Sequence, residues 1–255
     1  MSTPALEIQD LHKSFGKTEV IRGASLSVVA GERLALIGPN GAGKSTLFNL
    51  VSGRLPATKG QVLLRGQPIS GLAPQQIQRL GLARSFQITN LFPTLSVFEN
   101  IRCSVLWQMG YRYNLFLFLS RLTAVNQRAD EWVQRLGLQA RRDVPAGQLT
   151  YAEQRALELG VTCASGAPVV LLDEPTAGMS RAETEYFIPL IREITQGKTL
   201  LVVEHDMDVV FGLADRVAVL VRGEVIACDV PEVVRANPKV QESYLGSALG
   251  ASLQK

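Results

Sequence analysis

The chain is poor in metal-binding and disulfide-forming side chains. It holds two histidines, His12 and His205, and three cysteines, Cys103, Cys163 and Cys228. No two cysteines share a C-x-x-C spacing, so neither a zinc site nor a disulfide framework is legible, and a sparse, odd set suits a reducing compartment. Two histidines are too few for a histidine-rich metal centre. An excess of one charge is also missing. Against 23 acidic residues stand 26 basic ones, a net +3. That is too small an imbalance to argue for a nucleic-acid partner, and Arg135, Arg141 and Arg142 read as a solvated helix end. Long hydrophobic runs are absent too. The most apolar stretches, Leu115–Leu119 and Val217–Val221, fall far short of the roughly 18 residues that cross a bilayer. The N-terminus shows no basic region followed by an apolar run. The expectation is a chain soluble by itself, held at a membrane, if at all, by something else.

What is present suffices for one large α/β domain. Apolar residues make up 46% and charged residues 19%, enough for a sizeable core. The apolar share fits either a well-filled core or a surface covered by a partner. Alternating or continuous apolar residues predict strands at Leu6–Leu11, Val20–Ile21, Ala24–Val29, Arg33–Ile37 and Gln61–Leu64. Helical spacing predicts helices over Ser45–Gly53, Ala73–Leu80, Leu91–Trp107, Leu115–Leu122, Ala124–Leu136, Arg181–Thr195 and Met207–Ala214. Val169–Leu172 and Thr199–Val203 read as buried parallel strands. Val217–Val221 and Glu224–Ala227 flank Arg222-Gly223, the pattern of a β-hairpin, and Pro231–Leu245 suggests two short helices.

Two elements carry the chemistry. Gly38-Pro39-Asn40-Gly41-Ala42-Gly43-Lys44-Ser45-Thr46 satisfies the phosphate-loop pattern G-x-x-x-x-G-K-[ST], with a predicted strand entering and a predicted helix leaving. The glycines let backbone N–H groups approach a β-phosphate, and the helix N-terminus favours negative charge. Lys44 is expected to reach the β- and γ-phosphates, and the Ser45 hydroxyl to ligate Mg²⁺. The second element, Val169-Val-Leu-Leu-Asp173-Glu174, ends a buried strand in two acids. Asp173 is then placed to hold the metal and Glu174 to orient or deprotonate a water. The plainer reading, a strand ending in solvated acids, loses weight beside a phosphate loop. No Asn-Lys-x-Asp is present, which argues against a GTPase.

Further motifs in order single out one class. Ser85-Phe86-Gln87, Leu149-Thr150-Tyr151-Ala152-Glu153-Gln154-Arg155, Glu204-His205-Asp206 and Phe15 resemble, respectively, the Q-loop, the signature motif, the γ-phosphate histidine and the adenine-stacking aromatic of ABC ATPases. The chain is similar to the ABC family over nearly its whole length. Arg84-Ser-Phe-Gln87, Asn90 through Asn100, Glu204 through Asp208 and Asn237 through Gly246 look like the branch that imports branched-chain or other hydrophobic amino acids, amides or urea. A lipopolysaccharide-type exporter subunit shares much of this tail. A non-transport ABC ATPase of DNA repair or translation is disfavoured by the lack of coiled-coil insertions, zinc-binding cysteines or a second ATPase domain.

The resemblance implies an α/β fold: a RecA-like P-loop NTPase core, an N-terminal antiparallel β-subdomain and an inserted α-helical subdomain. Expected bounds are 1–248 for the whole domain, with about 88–165 helical, 231–248 C-terminal helices and 249–255 a tail. It implies ATP and Mg²⁺ as ligands, with Gln87 beside the metal and the water, His205 on the γ-phosphate and Phe15 on the base. Thr150, Tyr151, Ala152 and Glu153 would contact the nucleotide held by a second ATPase subunit, identical or paralogous. Two membrane permease subunits and a periplasmic solute-binding protein complete the assembly, placing the chain at the cytoplasmic face of the membrane.

Two departures stand out. Thr150 replaces the usual serine and Ala152 the glycine nearest the γ-phosphate, and Ala177-Gly-Met-Ser180 lacks the usual Asp or Asn of the D-loop. Ser180 is expected to hydrogen-bond across the dimer in its place. The Ala152 Cβ is expected to weaken closure on the partner's nucleotide without abolishing it. Replacing Ala152 by Gly therefore raises the ATPase rate of the assembled transporter; an unchanged or lower rate, measured by phosphate release, contradicts this.

Overall fold

The computed structural model describes residues 3–85, 91–111 and 119–242. The chain opens with a hairpin of β1 (Leu6–Phe15) and β2 (Thr18–Val28). Two separate segments were expected where β2 runs continuously. Gly23, at φ 71°, is accommodated as a bulge opposite a second irregularity at Asp10, φ 43°, so the ladder continues past it. β3 (Arg33–Ile37) enters the glycine-rich loop and α1 (Lys44–Val51) leaves it. β4 (Lys59–Leu64) and β5 (Gln67–Pro68) complete a four-stranded antiparallel sheet in the order β2-β1-β4-β5.

After α2 (Pro74–Leu80) and β6 (Leu82–Arg84) comes a helical stretch of α3 (Val97–Gln108), α4 (Thr123–Arg135) and α5 (Tyr151–Ala164). The predicted helix from Leu91 begins six residues later than expected. Ser96 is the N-cap, its hydroxyl accepting from the Glu99 N–H while Glu99 accepts from the Ser96 N–H. The Asn100 side-chain amide then donates to the carbonyls of Phe92, Leu95 and Ser96, holding the preceding segment as a loop. Most of the apolar run Leu115–Leu119 lies outside the described residues, and Leu119 itself is exposed in a short 3₁₀ turn.

β7 (Val169–Asp173), α6 (Arg181–Ile194), β8 (Thr199–Val203) and α7 (Met207–Leu213) follow. A hairpin of β9 (Arg216–Val221) and β10 (Glu224–Asp229) precedes the short α8 (Pro231–Ala236) and α9 (Pro238–Val240). The second sheet has the order β10-β9-β3-β8-β7-β6 and is parallel except for β10.

The continuous apolar runs of β3, β7 and β8 are explained by burial on both faces. Leu34, Leu36, Val169, Leu171, Leu201 and Val203 face a core shared with the antiparallel sheet and α1, including the fully buried Phe48. Ala35, Ile37, Val170, Leu172, Leu200 and Val202 face a second core shared with α3, α4, α5 and α6. A strand apolar on both faces leaves only its ends for polar chemistry. The C-terminal ends of β3, β8 and β7 are neighbours in the sheet, which brings the phosphate loop, Glu204-His205 and Asp173-Glu174 to one edge.

The β9–β10 turn buttresses that edge. Arg222 and Gly223 both have positive φ, 49° and 85°, the geometry of a tight hairpin turn. The Gly223 N–H donates to the Ala42 carbonyl at 2.9 Å, and its carbonyl accepts from Arg22 at 2.9 Å. A Cβ on Gly223 would overlap the Val20 carbonyl. Gly223→Ala therefore adds backbone strain to steric overlap and lowers the unfolding free energy by about 2–4 kcal/mol, read from denaturant unfolding.

Candidate functional site

The phosphate loop is shaped by one residue in particular. Gly43 caps α1 in the left-handed region, φ 104°, and a Cβ there would lie 2.7 Å from Ile21 Cδ1 and 3.3 Å from the Val20 carbonyl oxygen. Only glycine meets both demands. β2 therefore presses directly on the loop, and the same hairpin carries the exposed Phe15 at its tip, with the Lys13 ammonium 5.0 Å from the ring centre. A cleft of about 670 Å³ opens beside the loop, lined in part by Pro39, Asn40, Gly41, Ala42 and Arg222.

Lys44 is folded back onto the loop. Its Nζ donates to the carbonyls of Gly38 (2.6 Å) and Pro39 (3.1 Å), and the residue is 9% exposed. Burial lowers the ammonium below its ordinary pKa, and the Glu174 carboxylate acts against that shift. The two charges thus sense one another across the site, and the loop carbonyls hold the ammonium in place. Ser45 and Thr46 occupy the first turn of α1.

Asp173 and Glu174 are held by different means. The Asp173 side chain, 4% exposed, accepts a 2.7 Å hydrogen bond from Arg84 Nη2. The same guanidinium donates through Nη1 to Asn49 Oδ1 and Ser52 Oγ, both at 2.8 Å. Glu174 adopts φ 47°, unusual for a residue with a Cβ. Its N–H donates to the Val203 carbonyl, and its own carbonyl accepts from Arg155 Nη2, each at 2.9 Å. Arg155 is in turn paired with Glu158 in the interior. Such a strained peptide persists because both of its ends are pinned.

At the end of β8, Glu204 is fully buried. It accepts from the Thr176 hydroxyl (2.7 Å) and N–H (3.3 Å) and from the His205 N–H (3.2 Å). Burial raises its carboxyl pKa, and these donors work in the opposite direction. Glu204 thereby ties the β8 loop to the β7 loop, and the His205 ring is left 61% exposed at the same edge.

The turn 150–153 forms the start of α5. Thr150 is the N-cap, accepting from the Glu153 N–H, and Glu153 accepts from the Thr150 N–H while pairing with Arg141 at 2.9 Å. Tyr151 donates to the Ala177 carbonyl at 2.6 Å. Ala152 lies inside the helix without positive φ, so it is free of backbone strain. No hydrogen bond or ion pair joins this turn to the 38–46 loop among the described residues. Ser180 makes its bonds within its own chain here. It is the N-cap of α6: its hydroxyl donates to Glu183 Oε2 (2.7 Å) and accepts from the Glu183 N–H. That hydroxyl proton is committed within the chain. Gln87 lies outside the described residues.

Sequence reasoning identified the loop, the paired acids and the histidine, but passed over their supports. Arg84 was noted only as part of a resemblance, Glu204 only as the neighbour of His205, and Asn49, Ser52, Thr176 and the role of Arg155 not at all. The only signal in the chain was charge in or beside apolar segments. The donors available for a metal, the Asp173 carboxylate and the Ser45 hydroxyl, are hard oxygens of the kind Mg²⁺ prefers, and Arg84 holds the carboxylate by a hydrogen bond.

Comparison with known proteins gives the family. The family model "ABC transporter" matches residues 21–177, and the model "Branched-chain amino acid ATP-binding cassette transporter" matches residues 224–249. The chain is 37% identical to the "High-affinity branched-chain amino acid transport ATP-binding protein LivG" of Escherichia coli (strain K12), over 97% of this chain and 100% of that protein. It is 33% identical to the corresponding protein BraF of Pseudomonas aeruginosa, over 97% and 100%. Among solved structures, the ADP conformation of an ATP-binding cassette of an ABC transporter superposes with a TM-score of 0.82 at 27% identity, covering 96% of this chain and 100% of that one. The chain belongs to the ABC transporter family, as one of its ATP-binding cassettes.

Proposed function

We propose that this cassette binds and hydrolyses ATP to drive an importer of branched-chain or other hydrophobic amino acids, amides or urea. The observation that carries the ATPase reading is the convergence of the phosphate loop, Asp173-Glu174 and Glu204-His205 on the adjacent ends of β3, β7 and β8. The solute class is supported by the names of the relatives and by the C-terminal match over residues 224–249.

Phosphoryl transfer to water depends on positioning and charge neutralisation. In this reading the loop amides of residues 38–46 cradle the phosphates. Lys44 exchanges the carbonyls of Gly38 and Pro39 for phosphate oxygens, a short swing for a flexible side chain. Ser45 and Asp173 would hold Mg²⁺, which when bound neutralises phosphate charge. Glu174 receives the proton of the attacking water, and the exposed His205 ring, anchored through Glu204, reaches the γ-phosphate. Phe15 offers an aromatic face to the base. Gln87 belongs beside the metal and the water.

The turn 150–153 has no bond to its own phosphate loop, which suits a role against the nucleotide of a second cassette. ATP then acts as a bridge between two subunits, and loss of the γ-phosphate favours their separation. Ser180 caps its own helix through Glu183, and the hydroxyl oxygen keeps a lone pair that a partner's donor can use. No helix among the described residues is long and apolar enough to cross a membrane. Attachment to permease subunits is the remaining route to the bilayer. A groove of about 290 Å³ between α2, β6, α3 and α5, lined in part by Arg54, Ile77, Arg84, Leu91 and Val161, offers a permease segment a place to dock. Nearby in sequence, Val97 and Phe98 are buried in the core and Phe92 is exposed.

Four measurements test this reading. Lys44→Ala abolishes Mg-ATP affinity in equilibrium binding; retained affinity contradicts the phosphate-loop assignment. Glu174→Gln keeps ATP binding, accumulates a dimer in size-exclusion chromatography and loses at least about a hundredfold in turnover, the usual worth of a general base. Normal turnover rules Glu174 out as the base. Affinity purification from membranes co-isolates permease subunits, and deletion of the gene abolishes uptake of labelled leucine-type amino acids, amides or urea; unaffected uptake of all of them removes the solute assignment.

A further inference from the structure

We propose that Arg84 is a positioning residue for the metal-ligating carboxylate, holding Asp173 so that Mg²⁺ arriving with ATP meets a carboxylate already oriented. The inference rests on the nucleotide site described above and concerns a residue outside the loop and the paired acids.

The geometry singles out this side chain. Arg84 ends β6, next to β7, with its side chain 8% exposed against 4% for that of Asp173. A planar guanidinium has a rigid fork of donors, so bonds on both branches fix its orientation. One branch holds Asp173 Oδ2 at 2.7 Å, and the other holds Asn49 Oδ1 and Ser52 Oγ at 2.8 Å. The Arg84 guanidinium carbon also lies 5.5 Å from the centre of the Phe48 ring. Asn49 and Ser52 follow Ser45 by one and two turns of α1 and its cap. Arg84 therefore joins the carboxylate that would ligate the metal to the helix that carries the hydroxyl ligand. The Arg84 contact uses Asp173 Oδ2, so it does not itself occupy Oδ1.

Two physical effects follow. A buried carboxylate without a partner is costly and tends to seek another donor, so the guanidinium keeps Asp173 in one rotamer. Groups that hydrogen-bond a metal ligand orient it, and losing one weakens metal affinity by about 10–100-fold. A competing role is conceivable, in which Arg84 is a surrogate cation that metal must displace. Its bond to Oδ2 alone, with the other branch on α1, favours positioning over competition. A role in stability alone is the third option.

The experiment is equilibrium binding of a fluorescent ATP analogue to the full chain, in chelator and across a Mg²⁺ titration, with thermal unfolding alongside. The unmodified protein is compared with Arg84→Gln and Arg84→Lys. Positioning predicts affinity in chelator within about twofold of the parent, with the half-saturating Mg²⁺ concentration raised about tenfold or more in Arg84→Gln. Arg84→Lys, which keeps charge but not the fork, falls between the two. A folded variant with the parent's Mg²⁺ requirement overturns the proposal, as does a lower requirement, which would make Arg84 a competitor. Equal loss of affinity with and without Mg²⁺ overturns it too, because the damage is then to the whole site. If Arg84→Gln does not fold, Arg84→Lys decides on the same criteria. Failure of the unmodified chain to bind nucleotide is seen before any variant is compared and refutes the ATPase reading instead.

Discussion

Everything at the candidate site depends on β3, β7 and β8 being buried on both faces. Because Leu34, Leu36, Leu171 and Leu201 face one core and Ala35, Ile37, Val170 and Val202 the other, no polar side chain fits along these strands. Polar groups can stand only where the strands end. Parallel pairing then places three such ends side by side. A slip of register by one residue would exchange the two faces along the whole strand, so the placement is strongly specified.

Holding charge at that edge requires compensation, and the structure supplies it from a distance. Arg84 neutralises Asp173, Arg155 and Val203 pin the peptide of Glu174, and Thr176 carries Glu204. Each support reaches across from a different element. Breaking a buried ion pair such as Arg84–Asp173 costs about 3–5 kcal/mol, a large part of the stability of an ordinary domain. Function and folding are therefore coupled at these residues. The strain at Glu174 is tolerable for the same reason, since its neighbours over-determine it.

The helical part follows a simpler logic. α3, α5 and α6 each begin with Ser or Thr and carry Glu three residues on, and all three form reciprocal caps, each worth about 1 kcal/mol. At α5 and α6 these caps use Thr150, Glu153 and Ser180, the residues in which this chain differs from the family pattern or which the signature resemblance marks. Their polar atoms serve the local helix first. What remains exposed there is the start of a helix, with its partial positive charge.

By itself the amino-acid order determined what is local. The phosphate loop is contiguous, Asp173-Glu174 and Glu204-His205 end apolar runs, and Ser96-x-x-Glu99 and the Arg222-Gly223 turn are signatures within four residues. The late start of α3 was encoded in that same Ser-x-x-Glu, but helical periodicity upstream obscured it. Gly23 reads as a break in the sequence, yet its neighbours on β1 carry the ladder past it as a bulge. Only the tertiary structure decided which groups hold the site. Arg84 meets Asp173 across 89 residues, and Thr176 meets Glu204 across 28. Such pairings leave no periodic trace, because a hydrogen bond between distant segments is set by strand order and by which face is buried, and neither is a property of any one stretch of chain.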